Sequence, residues 1–262
     1  MFYVVFQIDK IPFMGKVDCD IRIGTSGWYY EHWRQVFYPA GLPKSKWFEY
    51  YAQHFNTVEI NNTFYHQPKP QTFENWHKQA PAHFLFTVKA NRFITHIKKL
   101  KDPQKPLERF FAGALLLKKN LGPVLYQLPP SLHKDIERLA AFVKLLPRKR
   151  IAVFEFRHLS WYSDDTYELL RKHNIGFCIH DLSGNKSPKM VTSDIIYVRF
   201  HGTSGRYAGN YPESQLQEWA AWLKIQAKNA RVIYVYFNND VHGHAIKNAK
   251  QLTEQISGLA RK

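Results

Sequence analysis

The segment Ile195–Gly202, which reads IIYVRFHG, guides the interpretation of the whole chain. Five of its eight residues are β-branched or aromatic, which predicts a β-strand. Side chains alternate between the two faces of a strand, so one face is apolar and the other carries Tyr197, Arg199 and His201. Burying an arginine and a histidine is costly unless they meet a ligand or a charged partner. The segment therefore predicts a strand whose carboxyl end reaches a functional site.

Length and composition set the broad class of protein. The chain has 262 residues, of which 45% are hydrophobic and 16% aromatic, enough for one barrel-sized core. Its formal net charge of +16 attracts anions such as phosphate groups, nucleic acid or acidic surfaces, although a basic, solvated surface explains the excess equally well. No apolar run approaches the ~20 residues of a membrane-spanning helix, so we expect no membrane partner.

The two cysteines, Cys19 and Cys178, lie far apart and form no CxxC motif. This spacing argues against a disulfide framework or a zinc ribbon and fits a reducing cytosol, so we expect a cytoplasmic protein. Residues 1–20 are interpreted as an N-terminal extension without the features of a secretory signal, and Met14 is an alternative natural start. Residues 21–262 are interpreted as one domain.

Eight segments have the composition and alternation of strands, and most are followed by a helical pattern. The predicted strands are Ile21–Thr25, Thr57–Thr63, Phe84–Ala90, Val124–Leu128, Ile151–Phe156, Ile175–Asp181, Ile195–His201 and Val232–Phe237. Regular β-then-α alternation implies parallel strands, and eight units in about 250 residues predict a (β/α)8 TIM-type barrel. An open doubly wound sheet has less support, because the strand count reaches eight. The polar link Leu182–Ser193 is too short for a full helix.

Polar residues on the inner faces gather toward the carboxyl ends of the predicted strands. They are Glu59, Asn61, Lys89, Gln127, Glu155, Arg157, Arg199, His201 and Asn238. The carboxyl rim of a barrel is where active sites are built, so this convergence favours a functional pocket. Strand six leaves two choices open, because either Cys178 and His180 or Ile179 and Asp181 point inward.

Several separated motifs occur in the order typical of one family. They are GTSGW from Gly24, EINNTFY from Glu59, QLPP from Gln127, EFR from Glu155, SW from Ser160, YVRFHG from Tyr197 and YFNND from Tyr236. Over about Ile21–Leu252 the chain resembles the YecE-like family, known as domain of unknown function 72. The resemblance implies a TIM-type barrel and supplies no reaction.

Three residues are candidates for catalysis. Glu59 and Glu155 have the chemistry of a general acid/base pair, as in glycoside hydrolysis, although each is also expected to pair with an arginine. His201 has an ordinary pKa near neutrality, which suits a general acid or base, and a hydrogen-bonded core histidine is the alternative.

The sequence requires no cofactor and predicts no metal site. Oxygen and imidazole ligands are available at the predicted rim, but HExxH and other diagnostic metal spacings are absent. The motif GxGxxG does not follow any predicted strand, which argues against a dinucleotide fold.

An anion site is expected instead at the loops after the last two strands. Phosphate often binds there in this architecture. The first loop supplies Gly202 to Arg206, and the second supplies Asn238 and Asp240 before a helix. Backbone N–H groups, a helix dipole and Arg199 suit an anionic group, whereas Asp240 opposes one and suits a helix cap or a ligand hydroxyl.

Two classes of function follow. The first is an enzyme acting on a small phosphorylated or polyhydroxylated substrate at the rim, with hydrolysis as a candidate reaction. The second is a nucleic-acid-binding or nucleic-acid-processing protein that uses its basic charge and the aromatic side chains of Trp28, Tyr29 and Trp33 for stacking.

Overall fold

The computed structural model of the protein describes residues 19–182, 185–204 and 207–258. Nine strands lie within these residues. They are β1 (Asp20–Thr25), β2 (Thr57–Ile60), β3 (Leu85–Lys89), β4 (Leu121–Gln127), β5 (Ala152–Glu155), β6 (Gly176–Leu182), β7 (Asn185–Lys186), β8 (Ile195–Phe200) and β9 (Val232–Phe237).

Eight of these strands form a parallel sheet in the order β1-β9-β8-β6-β5-β4-β3-β2. The two end strands meet where Ser26 bridges Glu59, and the N–H of Gly27 donates to the carbonyl oxygen of Glu59 at 2.9 Å. The sheet thereby curls into a nearly closed barrel. The prediction of a (β/α)8 barrel is confirmed.

Helices surround this barrel. They are α1 (Trp47–His54), α2 (Asn62–Tyr65), α3 (Pro70–Gln79), α4 (Gln104–Ala114), α5 (Ile136–Val143), α6 (Asp164–Lys172), α7 (Glu213–Gln226) and α8 (His244–Gly258). Short 3₁₀ segments cover Glu31–Trp33, Lys44–Lys46, Leu115–Asn120, Leu159–Trp161 and Val241–Gly243, and a π-turn covers Phe93–Ile97. None of the helices in the described ranges is long and apolar enough to cross a membrane.

A tyrosine from α1 closes the seam between β1 and β2. The hydroxyl of Tyr51 accepts the N–H of Thr25 at 3.0 Å and donates to the carbonyl oxygen of Thr57 at 3.1 Å. Tyr51 is fully buried. Its hydroxyl takes the place of the strand-to-strand hydrogen bonds that these two buried backbone groups would otherwise need.

The link between β6 and β8 lacks a full helix in its described part, as the sequence predicts. Strand β7 instead turns back to pair antiparallel with β6. Asp181 lies opposite Lys186 in this hairpin, and their side chains form an ion pair at 3.1 Å.

The predicted second strand is too long at its carboxyl end. The observed strand β2 stops at Ile60, and Asn61 has helical dihedral angles before α2. The Thr63 hydroxyl contacts the carbonyl oxygens of Ile60 at 3.2 Å and of Lys89 at 2.7 Å. These side-chain hydrogen bonds compete with a strand ladder and favour the turn.

Two layers of apolar side chains hold the fold together, one between sheet and helices and one inside the barrel. The inner layer contains Leu125, Val153, Cys178, Ile195, Tyr197, Val232, Tyr234 and Tyr236. Cys178 and His180 therefore point inward from β6, which answers the question that the sequence left open. Asp181 points outward, where it accepts a hydrogen bond from Gln215 at 3.2 Å.

Candidate functional site

A fully buried ion-pair network lies above the apolar filling of the barrel. The guanidinium of Arg199 on β8 donates from Nη2 to Glu59 Oε1 at 2.7 Å and from Nη1 to Glu155 Oε2 at 2.5 Å. The three side chains are 1%, 0% and 0% exposed. This network (Glu59, Glu155, Arg199) confirms the expectation that the arginine reaches a carboxylate, and it reaches both.

Other groups complete the coordination of the two carboxylates. Glu59 accepts hydrogen bonds from the Ser26 hydroxyl at 2.7 Å and the Tyr197 hydroxyl at 2.5 Å. Glu155 forms a second ion pair with Arg157. Burial alone would raise the pKa of Glu155, but the guanidinium groups of Arg157 and Arg199 outweigh it and hold that pKa well below its usual value. Glu155 therefore stays ionised.

His201 lies above this network as a neutral imidazole. Its pKa is lowered well below its ordinary value by burial, and by the charges of Arg199 and Arg157. Because Arg157 Nη2 only donates, His201 Nε2 accepts that hydrogen bond at 3.0 Å, and its Nδ1 lies 3.2 Å from the side-chain amide of Asn238. The lone pair that a general base would use is already occupied.

Lys89 is a cation at the mouth whose side-chain partner is an amide and not a carboxylate. Its Nζ donates to Gln127 Oε1 at 2.5 Å and lies 4.1 Å from the centroid of the Phe64 ring. Within the described residues, no Asp or Glu oxygen lies within ion-pair distance of this amine. Burial, reinforced by the charge of Arg199, lowers the pKa of Lys89 to about 7.

Six buried polar atoms on or just after the barrel strands have no hydrogen-bond partner in the described part of the chain. They are Asn61 Oδ1, Glu155 Oε1, Arg157 Nε, His180 Nδ1, Arg199 Nε and Asn239 Oδ1. Of these, Glu155 Oε1 still has its ion pair with Arg157. A buried polar atom without a partner is rare, and such atoms commonly meet a water or a ligand.

Two backbone amides of the loop after β8, those of Gly202 and Ser204, are hydrogen-bonded within that loop. Gly202 has a φ of +106°, and its N–H donates to the Tyr211 hydroxyl at 3.1 Å. The N–H of Ser204 donates to the carbonyl oxygen of Ala208 at 3.2 Å. These two amides are therefore not free to bind an oxyanion. Gly205 and Arg206, also expected at this site, lie outside the described residues.

Asp240 is directed to the outer rim. Its carbonyl oxygen accepts from His32 Nε2 at 2.9 Å and from the Trp33 indole at 3.3 Å, and its carboxylate lies 3.4 Å from His32. The side chain does not cap the following 3₁₀ segment. Burial raises the pKa of the Asp240 carboxyl group.

A cleft of about 500 Å³ opens beside the mouth, between the loops that follow β1 and β2. It is lined by Gly27, Trp28, Tyr29, Tyr30, Ile60, Asn61, Asn62, Tyr65 and Trp76. Tyr65 also borders a second cleft, and this second cleft shares Phe93 and Arg109 with a third. We call this series of three clefts the rim groove.

The aromatic side chains along the rim groove differ from those that the sequence suggested. Trp33 is fully buried and Trp28 is 9% exposed, so neither is a free stacking platform. Tyr29, Tyr65 and Phe93 are 57%, 58% and 43% exposed. The sequence did not indicate Tyr65 and Phe93 as stacking residues. They lie in short helical turns outside the barrel strands, where the alternation typical of strands carries no information. The pair Asn61-Asn62, typical of a helix start, was the available signal.

The described residues contain no cluster of three or more His, Cys, Asp or Glu side chains able to hold a metal ion. The inward carboxylates are already bound to arginines. The residues present therefore give no support for a metal centre at the mouth.

Comparison with known proteins places this architecture in a family. The model of the family described as "Protein of unknown function DUF72" matches residues 22–261. The chain is 28% identical to the UPF0759 protein YunF of Bacillus subtilis, over 92% of this chain and 97% of that protein. It is 28% identical to the UPF0759 protein YecE of Escherichia coli K12, over 55% of this chain and 50% of that protein.

Solved structures agree with the sequence comparison. A DUF72 family protein from Thermotoga maritima superposes with a TM-score of 0.81 at 32% identity, covering 93% of this chain and 100% of that one. A DUF72 family protein from Enterococcus faecalis has a TM-score of 0.77 at 20% identity, covering 90% and 95%. The match of the family model over nearly the whole chain, together with the barrel, shows that this protein belongs to the DUF72 family.

Proposed function

We propose that this protein is an enzyme that acts on a small phosphorylated or polyhydroxylated substrate at the carboxyl-terminal mouth of its barrel. The observation that carries the proposal is Lys89, a nearly buried amine whose partner is the amide of Gln127. Burying a cation beside a neutral amide is costly, and proteins accept that cost mainly where a ligand supplies the missing interaction.

The balance of charge at the mouth supports an electron-rich ligand. Glu59 and Glu155 are matched by two guanidinium groups, those of Arg199 and Arg157. Lys89 then remains as the additional positive group beside them. A phosphate oxygen or a sugar hydroxyl oxygen is the natural partner for an amine in this position.

The neighbouring cleft suits the remainder of such a substrate. Its lining is mostly aromatic, including Trp28, Tyr30 and Tyr65, and it contains Asn61, whose amide oxygen is buried. Small-molecule sites combine apolar walls with a few fixed polar groups that orient the ligand. Arg157 Nε, buried and without a partner in the described residues, is a second group available to orient it.

The three residues expected to be catalytic take different places in this proposal. Glu59, Glu155 and His201 are held by hydrogen bonds to arginines and hydroxyl groups. We propose that they position the mouth rather than transfer protons, because their acceptor atoms are already engaged. Lys89 and Arg157 are the groups that we expect to contact substrate.

A ligand screen by thermal unfolding tests the proposal. The probes are inorganic phosphate, sugar phosphates and free sugars, and a compound at 100 times its Kd should raise the Tm by about 5–10 °C. Lys89→Met should abolish that shift, because it removes the amine that we assign to the ligand. Lys119→Met, at an exposed position, is the matched control and should keep the shift. A protein that responds to none of these compounds, or a shift that survives in Lys89→Met, contradicts the proposal.

The rim groove favours a second candidate, binding of single-stranded nucleic acid. Exposed rings at Tyr29, Tyr65 and Phe93 follow one another along it. Its far end is lined by basic side chains that include Lys98, Lys105 and Arg109. Stacking platforms beside cationic groups are typical of proteins that bind single strands without sequence preference.

Binding of a fluorescent single-stranded oligonucleotide tests this candidate. Affinity should fall steeply between about 50 and 200 mM salt, and Tyr65→Ala should weaken binding by about 1–3 kcal/mol through the loss of one stacking platform. Ile225→Ala, at a position that is 59% exposed on α7, is the control and should leave the affinity unchanged. The absence of binding at low salt excludes this function.

A further inference from the structure

We infer that Lys89 is a nucleophile that forms an imine with an aldehyde or ketone carbonyl of the substrate. This inference rests on the proposed function and narrows its substrate class to carbonyl compounds, such as open-chain sugars, sugar phosphates or 2-oxo acids.

The amine is held in place from several sides. The backbone of Lys89 ends β3, where its carbonyl oxygen accepts the Thr63 hydroxyl at 2.7 Å. The next amide, that of Ala90, donates to the carbonyl oxygen of Leu125 at 2.9 Å. The side chain then reaches Gln127 Oε1 at 2.5 Å. A nucleophile fixed at the end of a barrel strand meets a bound substrate in a constant orientation.

The surroundings of Lys89 combine two features that activate a lysine amine. Lys89 is 8% exposed, and the centroid of the Phe64 ring lies 4.1 Å from Nζ, so the amine is largely desolvated. Arg199 and Arg157 place positive charge nearby and bind both inward carboxylates themselves. Desolvation and a neighbouring cation both favour the neutral amine, which is the form that attacks a carbonyl.

The chemistry balances without any further reagent. The lone pair of Nζ attacks the carbonyl carbon, and the carbonyl oxygen becomes the hydroxyl of a carbinolamine. That hydroxyl takes up a proton and leaves as water while the nitrogen loses its hydrogens, so that the amine and the carbonyl compound yield an imine and one water. Gln127 accepts a hydrogen bond from the attacking amine and so holds it in place.

This arrangement differs from that of a structural lysine. A lysine that only stabilises the fold is expected to pair with one of the inward carboxylates. Here Glu155 instead contacts two guanidinium groups, and Lys89 is left with an amide and an aromatic ring. Lys89 as a residue is 8% exposed, so Nζ is shielded from bulk water, at the end of the barrel where the strands finish.

Trapping with borohydride tests the inference on the intact protein. Glycolaldehyde, dihydroxyacetone phosphate and pyruvate serve as probes, and sodium borohydride reduces any imine to a stable secondary amine. With at least one probe we expect one adduct per chain, mapped to Lys89 by peptide mass spectrometry and formed at least tenfold faster than adducts at other lysines. Lys119→Arg should retain the adduct, and Lys89→Arg should lose it. Gln127→Leu should slow its formation, although Lys89 is still present.

The outcomes separate this inference from the proposed function. Adducts spread over surface lysines, or no adduct at Lys89 in a parent protein that binds phosphorylated compounds, would overturn the inference and leave the proposed function standing. If the protein binds none of the compounds and also forms no adduct, both the inference and the proposed function are overturned. Because the adduct is mapped in the parent protein, the test does not depend on whether Lys89→Arg folds.

Discussion

Replacing Arg199 with methionine is expected to lower the free energy of unfolding by about 3–5 kcal/mol. The guanidinium of Arg199 binds Glu59 at 2.7 Å and Glu155 at 2.5 Å, and both carboxylates are inaccessible to solvent. Its removal leaves buried negative charge without compensation, which costs far more than the loss of a surface ion pair.

Urea denaturation at pH 7 measures this effect. The matched control is Arg231→Met, which removes an ion pair with Asp194 at 2.8 Å whose side chains are 52% and 32% exposed. This control should cost at most about 1 kcal/mol. An Arg199→Met variant as stable as the control would mean that the buried network contributes little to the fold.

The dependence of this deficit on pH has a defined sign. The folded pKa of Glu155 is held well below that of an ordinary glutamate, partly by Arg199. Such a group contributes stability that is present above the unfolded pKa, ~4.3, and is lost as the pH falls through the folded pKa. The deficit of Arg199→Met should therefore be largest at neutral pH and should shrink in acid, where Glu155 of the variant becomes protonated.

Lys89→Met is expected to act in the opposite direction and to stabilise the fold by on the order of 3 kcal/mol at pH 6. Burial and the charge of Arg199 lower the pKa of Lys89 to about 7, so the folded protein carries a cost for the charged amine. Methionine has a similar length and no charge, and removes that cost. A stabilising substitution at a polar position is typical of sites where function opposes stability.

The sign of the pH dependence distinguishes this explanation from better packing alone. The unfolded pKa of lysine is ~10.4, so between pH 7 and that value the unfolded chain binds a proton that the folded chain has released. The cost of Lys89 is therefore fully present below pH 7 and disappears as the pH rises toward 10. Urea denaturation from pH 6 to pH 9.5 should show the advantage of Lys89→Met declining. Lys119→Met is the control, and an advantage that does not vary with pH would contradict the electrostatic cause.

The sequence by itself determined the barrel and the inner faces of most of its strands. Alternation along a strand is a local property, so Tyr197, Arg199 and His201 could be assigned to one face of β8 from neighbouring residues alone. The same alternation placed Glu59, Lys89 and the other polar side chains at the carboxyl rim. This prediction was possible because parallel strands have their carboxyl ends at one edge.

Only the tertiary structure decided which of these groups interact. Arg199 reaches Glu59 across 140 residues of sequence and Glu155 across 44, and no local pattern states a distance across a barrel. The end of β2 likewise depends on the contact of Thr63 with the Lys89 backbone, 26 residues away. Once the two arginines satisfy the carboxylates, Lys89 is left beside the amide of Gln127. The position of Lys89, which we propose as the reactive group, thus follows from competition among charges that the fold brings together.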